Sequence, residues 1–107
     1  MKSLALLLLL LALPLHAADT TRLMRQIERG STAERTSALR DLAKEDAPAA
    51  TAKAIEWLEP SVEPALRRAA ARTLWDLGDK ARSAEPALRA RLDDRDDDVA
   101  YGAVGAL

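Results

Sequence analysis

The sequence predicts an all-α fold, an α-solenoid of antiparallel helix pairs about two and a half repeats long, on three observations. Beyond Asp19 the chain is rich in Ala, Leu, Arg and Glu, has no Phe, and holds only Trp57, Trp75 and Tyr101 as aromatics, a composition that favours helix over strand. Helix start and stop signals recur at short intervals along it. The chain also repeats itself: Leu39-Arg40-Asp41-Leu42 matches Leu74-Trp75-Asp76-Leu77 at a spacing of 35, and Leu66, Ala70 and Leu74 fall on Val99, Ala103 and Leu107 at a spacing of 33. Each of the latter sets is one apolar stripe of a helix. A period of roughly 20–50 residues made of helix pairs marks a solenoid, in which each pair buries its apolar face only against its neighbours.

The 107-residue chain opens with MKSLALLLLLLALPLHAA. Lys2 is a positive start, Leu4 to Leu13 is an uncharged apolar run, Pro14 breaks it, and the small residues Ala17 and Ala18 follow, which is the order of a secretory signal peptide. Spanning a bilayer takes about 20 apolar residues, roughly twice this run. Residues 1–18 are therefore expected to be cut away after Ala17 or Ala18, leaving 19–107 as a periplasmic or secreted domain. With no cysteine in the chain there is no lipoprotein attachment point, and no stable membrane anchor is expected after cleavage.

In the mature part, a first short helix runs from about Thr20 to Arg29 and ends at Gly30. Ser31 and Glu34 have the S-x-x-E spacing of a capping box that opens a second helix, reaching about Lys44. Asp46 caps a third from Ala47 to Glu59; Pro60, Ser61 and Pro64 then form a turn, with Pro64 suited to the first turn of a fourth helix ending at Leu77. Gly78 sits just past that end, Asp79 and Lys80 turn the chain, and a fifth helix is expected from about Ala81 to Leu92. Asp93 to Asp98 make a polar turn before a sixth helix starting at Val99. Because Gly102 and Gly105 cost about 1 kcal/mol each relative to Ala, this last helix is expected to fray.

The stretch from Leu66-Arg67-Arg68-Ala69-Ala70-Ala71-Arg72-Thr73-Leu74 through Leu77-Gly78 and Ala84-Glu85-Pro86-Ala87-Leu88 to Leu92-Asp93-Asp94 resembles a HEAT repeat of the short bacterial type. The resemblance covers Pro64 to Leu107 well and Ser31 to Pro60 weakly, and takes in the helix before Gly30 as a cap. It implies a scaffold for protein binding, with first helices on the convex side and second helices lining the concave side. Three departures stand out. Glu85, Arg89 and Arg91 occupy a second helix where the family is usually apolar, Ala100 follows Val99 where an Arg is common, and Leu107 is equivalent to Leu74, so that the last first helix lacks its end and its partner. The domain thus reads as truncated at its C-terminal end, either a fragment of a longer scaffold or an abbreviated form whose last helix something else covers.

Charge nearly balances, with 16 Lys plus Arg against 17 Asp plus Glu, so neither a nucleic-acid partner nor a polybasic membrane contact is implied. His16 is the sole histidine and lies in the leader, which leaves the mature chain no thiolate, no imidazole base and no cysteine or histidine metal ligand. Asp94, Asp96 and Asp98 imitate the opening of a calcium loop, but Val99 and Gly105 stand where that loop needs Gly and a bidentate Glu, and an acidic turn capping the next helix accounts for the same residues. Carboxylate pairs such as Asp41 with Glu45 and Asp76 with Asp79 leave a carboxylate hydrolase as a remote third reading. The leading expectation is a non-catalytic adaptor without a cofactor.

Its partner would be another exported protein. Trp57 reads first as core and Trp75 lies on the flank of its stripe. A shift of 34 places Trp57 on Arg91 in adjacent repeats, however, so Lys53, Trp57, Glu85, Arg89 and Arg91 are expected to form one surface suited to an acidic or aromatic segment. A terminal helix presenting a polar outer face explains the same charges without a partner.

Overall fold

Local capping chemistry sets most helix boundaries in the computed structural model, which describes the backbone of residues 15–107 and the side chains of residues 20–107. The apolar run of the expected leader lies outside the described residues. Seven helical elements follow in order: α1 (Leu15–Arg29), α2 (Thr32–Glu45), α3 (Ala47–Trp57), α4 (Pro64–Leu77), the 3₁₀ segment η1 (Gly78–Ala84), α5 (Glu85–Arg89) and α6 (Asp97–Ala106). Among the described residues there is no strand, and no helix is long and apolar enough to cross a membrane.

The capping box forms as its spacing predicts: the Glu34 N–H donates to Ser31 Oγ at 3.2 Å, and the Ser31 N–H donates to Glu34 Oε1 at 3.1 Å. That Ser31 N–H, then the Ser31 hydroxyl, holds the Glu34 carboxyl below its ordinary pKa. Asp46 serves two helices at once. Its N–H donates to Leu42 O at 2.7 Å to close α2, while its Oδ1 accepts the Ala49 N–H at 3.1 Å to open α3. Pro64 stands in the first turn of α4, and Gly78 ends that helix at φ +57°, in the left-handed region glycine adopts without strain.

Several boundaries differ from the sequence expectation: α1 begins at Leu15 rather than about Thr20, and α3 ends at Trp57 rather than Glu59. The single fifth helix over 81–92 is broken into η1 and the five-residue α5, with Ala81 departing from helical angles at φ −108°, ψ 26°. Pro86 explains the break, because it has no N–H to give to the carbonyl four residues back and its ring crowds that carbonyl. A short α-helix can start there but not continue through. At the other end, α6 begins at Asp97 rather than Val99, since Asp96 Oδ1 accepts the N–H groups of Asp98 and Val99 at 3.0 and 3.1 Å.

Packing runs between elements one to three apart in the chain. Helix α1 packs on α2, α2 on α3 and α4, α3 on α4 and η1, α4 on η1 and α6, and α5 on α6. Leu23, Ile27, Leu39, Leu42, Leu58, Leu66, Leu74 and Leu88 form a continuous core, and the small residues Ala50, Ala54, Ala70, Ala71, Ala84 and Ala103 let the helices approach closely between them.

The glycines of α6 belong to that close approach. A Cβ on Gly102 would lie 2.9 Å from the Ala71 Cβ, and one on Gly105 would overlap the Trp75 indole. Val99, Gly102 and Ala103 are buried against α4, so the two glycines hold α6 in place rather than serving only to loosen it. Overpacking at such a contact costs about 1–3 kcal/mol, against the gain of about 1 kcal/mol that Ala brings to an exposed helix. Gly102→Ala is therefore expected to lower the thermal midpoint followed by circular dichroism. A rise would show that α6 does not sit this close to α4.

Candidate functional site

The five residues assigned to an interface from sequence do not form one surface. Lys53 reaches from α3 to Glu56 (Nζ to Oε2, 2.9 Å) and back to Glu28 on α1 (3.7 Å). Trp57 is only 4 % exposed. The Arg35 guanidinium of α2 covers its ring at 5.2 Å from the centroid, while Arg35 Nε donates to the Ile27 carbonyl at the end of α1 at 2.7 Å. Trp57 is thus a core residue, and the expected aromatic anchor is absent from the surface. Glu85 and Arg89 pair across one turn of α5, with Arg89 Nη2 at 2.8 Å and Nε at 3.2 Å from Glu85 Oε1. Exposed pairs of this kind contribute about 0.3–0.5 kcal/mol. Arg91 lies past the end of α5 with its Nη1 3.6 Å from Asp94 Oδ2.

Nor do Lys53 and Trp57 flank the arginines. The shallow gap between α3 and α5 is lined by Ile55, Leu58 and Glu59 on one side and Ala87, Ala90 and Arg91 on the other. Lys53 and Trp57 are four residues apart on the helix face turned to α1 and α2, where Glu28 and Arg35 meet them. The shift of 34 aligns Trp57 with Arg91 in sequence, but the broken helix carries Arg91 to a different element.

The strongest polar feature was not read as one from sequence. Arg67, the second residue of the Leu66-Arg67-Arg68 run, is buried, and its Nε and Nη2 donate to the two carboxylate oxygens of Asp94 at 3.1 and 3.0 Å. Its Nη1 donates to the carbonyls of Val62 and Pro60, the latter at 3.4 Å. The Asp94 side chain is 2 % exposed and also accepts the Asp96 N–H at 2.9 Å. Burial works to raise its pKa, but the Arg67 hydrogen bonds, the Asp96 N–H and the charges of Arg67 and Arg91 outweigh it, so the carboxyl titrates below its ordinary value. The sequence held one signal: Arg67 lies beside the Leu66–Ala70–Leu74 stripe and one helical turn before Ala71, so a charge at the edge of an apolar face needed a partner.

Two further acids of the turn, Asp96 and Asp98, have partners as well. Asp96 caps α6, and Arg68 Nη1 lies 3.8 Å from both Asp96 Oδ2 and Asp98 Oδ2. At the preceding junction the same place is taken by a lighter contact, Thr32 Oγ1 donating to Glu63 Oε1 at 2.7 Å. Of the carboxylates weighed for catalysis, Asp76 faces Arg72 at 3.4 Å and Asp79 faces Arg82 at 4.0 Å.

Apolar side chains gather instead at the α6 end. Trp75 and Tyr101 lean together with ring centroids 5.6 Å apart and planes at 48°. Leu92, Val104 and Leu107 are 38, 62 and 50 % exposed, whereas their counterparts one period earlier, Leu58, Ala71 and Leu74, are buried. Ala71 is the residue on which Gly102 of the following helix rests; Val104 holds the same position on α6 with nothing upon it among the described residues. Comparison with protein-family models, with curated proteins and with solved structures finds no match.

Proposed function

We propose that the mature chain, residues 19–107, is a non-catalytic scaffold module of an exported compartment, a HEAT-like α-solenoid that docks another exported protein through the α6 end of its array. Packing confined largely to elements near one another in the chain supports the solenoid reading, and the leader pattern Lys2, Leu4–Leu13, Ala17 supports export. One observation carries the function. Leu92, Val104 and Leu107 are exposed at positions whose earlier counterparts are buried, Ala71 among them by the following helix, and a solenoid face of this kind gains stability when another apolar helix covers it. Tyr101, one turn from Val104 on α6, and Trp75, which lines one cleft with Leu107, provide the aromatic anchors that interfaces favour. The partner should therefore present an amphipathic helix with an uncharged stripe, since residues 99–107 carry no charge. The surface first assigned to Lys53, Trp57, Glu85, Arg89 and Arg91 is less suited, because Trp57 is buried and the charges are matched within the chain.

A second reading rests on the same face: a following helix pair of a longer scaffold would cover these positions as α6 covers Ala71. One experiment distinguishes the two. A photoreactive residue at Val104, with another at Arg82 as control, should give a discrete adduct in the exported fraction at Val104 only, and Val104→Glu should abolish binding of the identified partner by the folded protein. A cross-link within one longer polypeptide would establish the second reading, and equal diffuse labelling at both positions would defeat the first.

A further inference from the structure

Away from the α6 end, a groove of about 300 Å³ runs between the last turns of α2 and α4, and its chemistry is one-sided. Arg40 and Lys44 line it from α2 and Lys80 from η1. None of the three has an ion-pair partner among the described residues, and they converge on one groove in a chain whose net charge is −1. The single acid of the lining, Asp76, is engaged by Arg72 at 3.4 Å. Thr73 also lines the groove, and its solvent-accessible hydroxyl has no hydrogen-bond partner among the described residues, so it is available to a ligand. Half-buried Ala43 and Leu77 complete an apolar floor.

We propose that this groove binds an acidic peptide segment of another protein, its carboxylates meeting Arg40, Lys44, Lys80 and the Thr73 hydroxyl while an aliphatic side chain between them lies on Ala43 and Leu77. Complementing the carbonyl end of α2 accounts for Lys44, which lies in its last turn, but not for Arg40 one turn earlier or for Lys80 on a separate element. A compact anion such as phosphate fits the site poorly. Helix C-termini supply carbonyls rather than N–H donors, and they repel concentrated negative charge. Spaced carboxylates joined by an apolar residue match both the separated cations and the floor.

The test uses the mature chain and a fluorescein-labelled peptide of alternating Glu and Leu, followed by fluorescence anisotropy at low salt. Saturable binding is expected, weakened at least tenfold by Arg40→Gln, Lys44→Gln and Lys80→Gln together, with an unchanged thermal midpoint. Should the triple variant not fold, Lys80→Gln alone in η1 provides the same readout with a smaller loss. The matching Gln and Leu peptide should not bind, and Val104→Glu should leave the affinity intact, which separates this groove from the α6 face. Equal affinity in the triple variant, equal binding of the Gln peptide, or displacement by inorganic phosphate at concentrations equal to the peptide would each overturn the proposal.

Discussion

Replacing Asp94 with Asn is expected to destabilise the fold by about 3–5 kcal/mol, because the Arg67 guanidinium would remain buried without its counter-charge. That loss is comparable to the whole stability of a domain of this size, about 5–10 kcal/mol, so the variant should be partly unfolded near room temperature. Arg67 gives Nε and Nη2 to Asp94 and Nη1 to the carbonyls of Pro60 and Val62, which ties the turns on either side of it in the chain to α4 through one side chain. Removing both charges together, as Arg67→Met with Asp94→Leu, should cost less than Asp94→Asn alone, since no charge then stays buried and the Pro60 and Val62 carbonyls and the Asp96 N–H are left to find water. Acid provides an independent readout. The Asp94 carboxyl is held below its ordinary value of 3.8, so the stability it contributes is fully present above about pH 4 and falls away as the pH drops through the folded-state value. Urea denaturation at pH 7 and at pH 3 should show the gap between native protein and Asp94→Asn narrowing at the lower pH. A gap that stays constant would mean the pair is not coupled to folding.

Helix ends were legible in the sequence because their causes are local. Ser31 with Glu34, Asp46, Pro64 and Gly78 each act within four residues, and each was read in place. The fifth helix failed although its cause, Pro86, was equally local: the apolar pattern through Ala84 and Leu88 suggested continuity that the missing N–H forbids. What could not be read was chemistry joining distant segments. Gly102 and Gly105 cost helix stability when considered alone, and their use becomes visible only when α6 lies on Ala71 and Trp75 about thirty residues earlier. Asp94 looked like one of three equivalent acids in a turn. Its neighbours in sequence do not distinguish it; Arg67, twenty-seven residues away, does. The candidate surface failed for a related reason, since a period of 34 aligns positions but does not guarantee that both repeats build the same helix there.

Trp57→Ala is expected to cost about 3–5 kcal/mol of stability, as for a large aromatic removed from a packed core. A tryptophan serving as an interface anchor would behave differently, leaving the free protein nearly as stable while partner affinity fell. The structure argues for the former through Arg35. Its Nε is fixed on the Ile27 carbonyl at 2.7 Å and its guanidinium lies over the indole at 5.2 Å, so the ring is covered by a side chain that also closes the end of α1. Arg35→Ala should accordingly destabilise by about 1–3 kcal/mol, combining the lost ring contact with an orphaned carbonyl. Two tryptophans in the chain make the burial measurable without a partner. With Trp75→Phe, the remaining Trp57 emission should be blue-shifted and weakly quenched by iodide, and with Trp57→Phe the remaining Trp75, which is 37 % exposed, should be quenched readily. If Trp57 proved the more quenchable of the two, its indole would have to face water, and the surface joining it to Arg89 and Arg91 would return as the place where a partner binds.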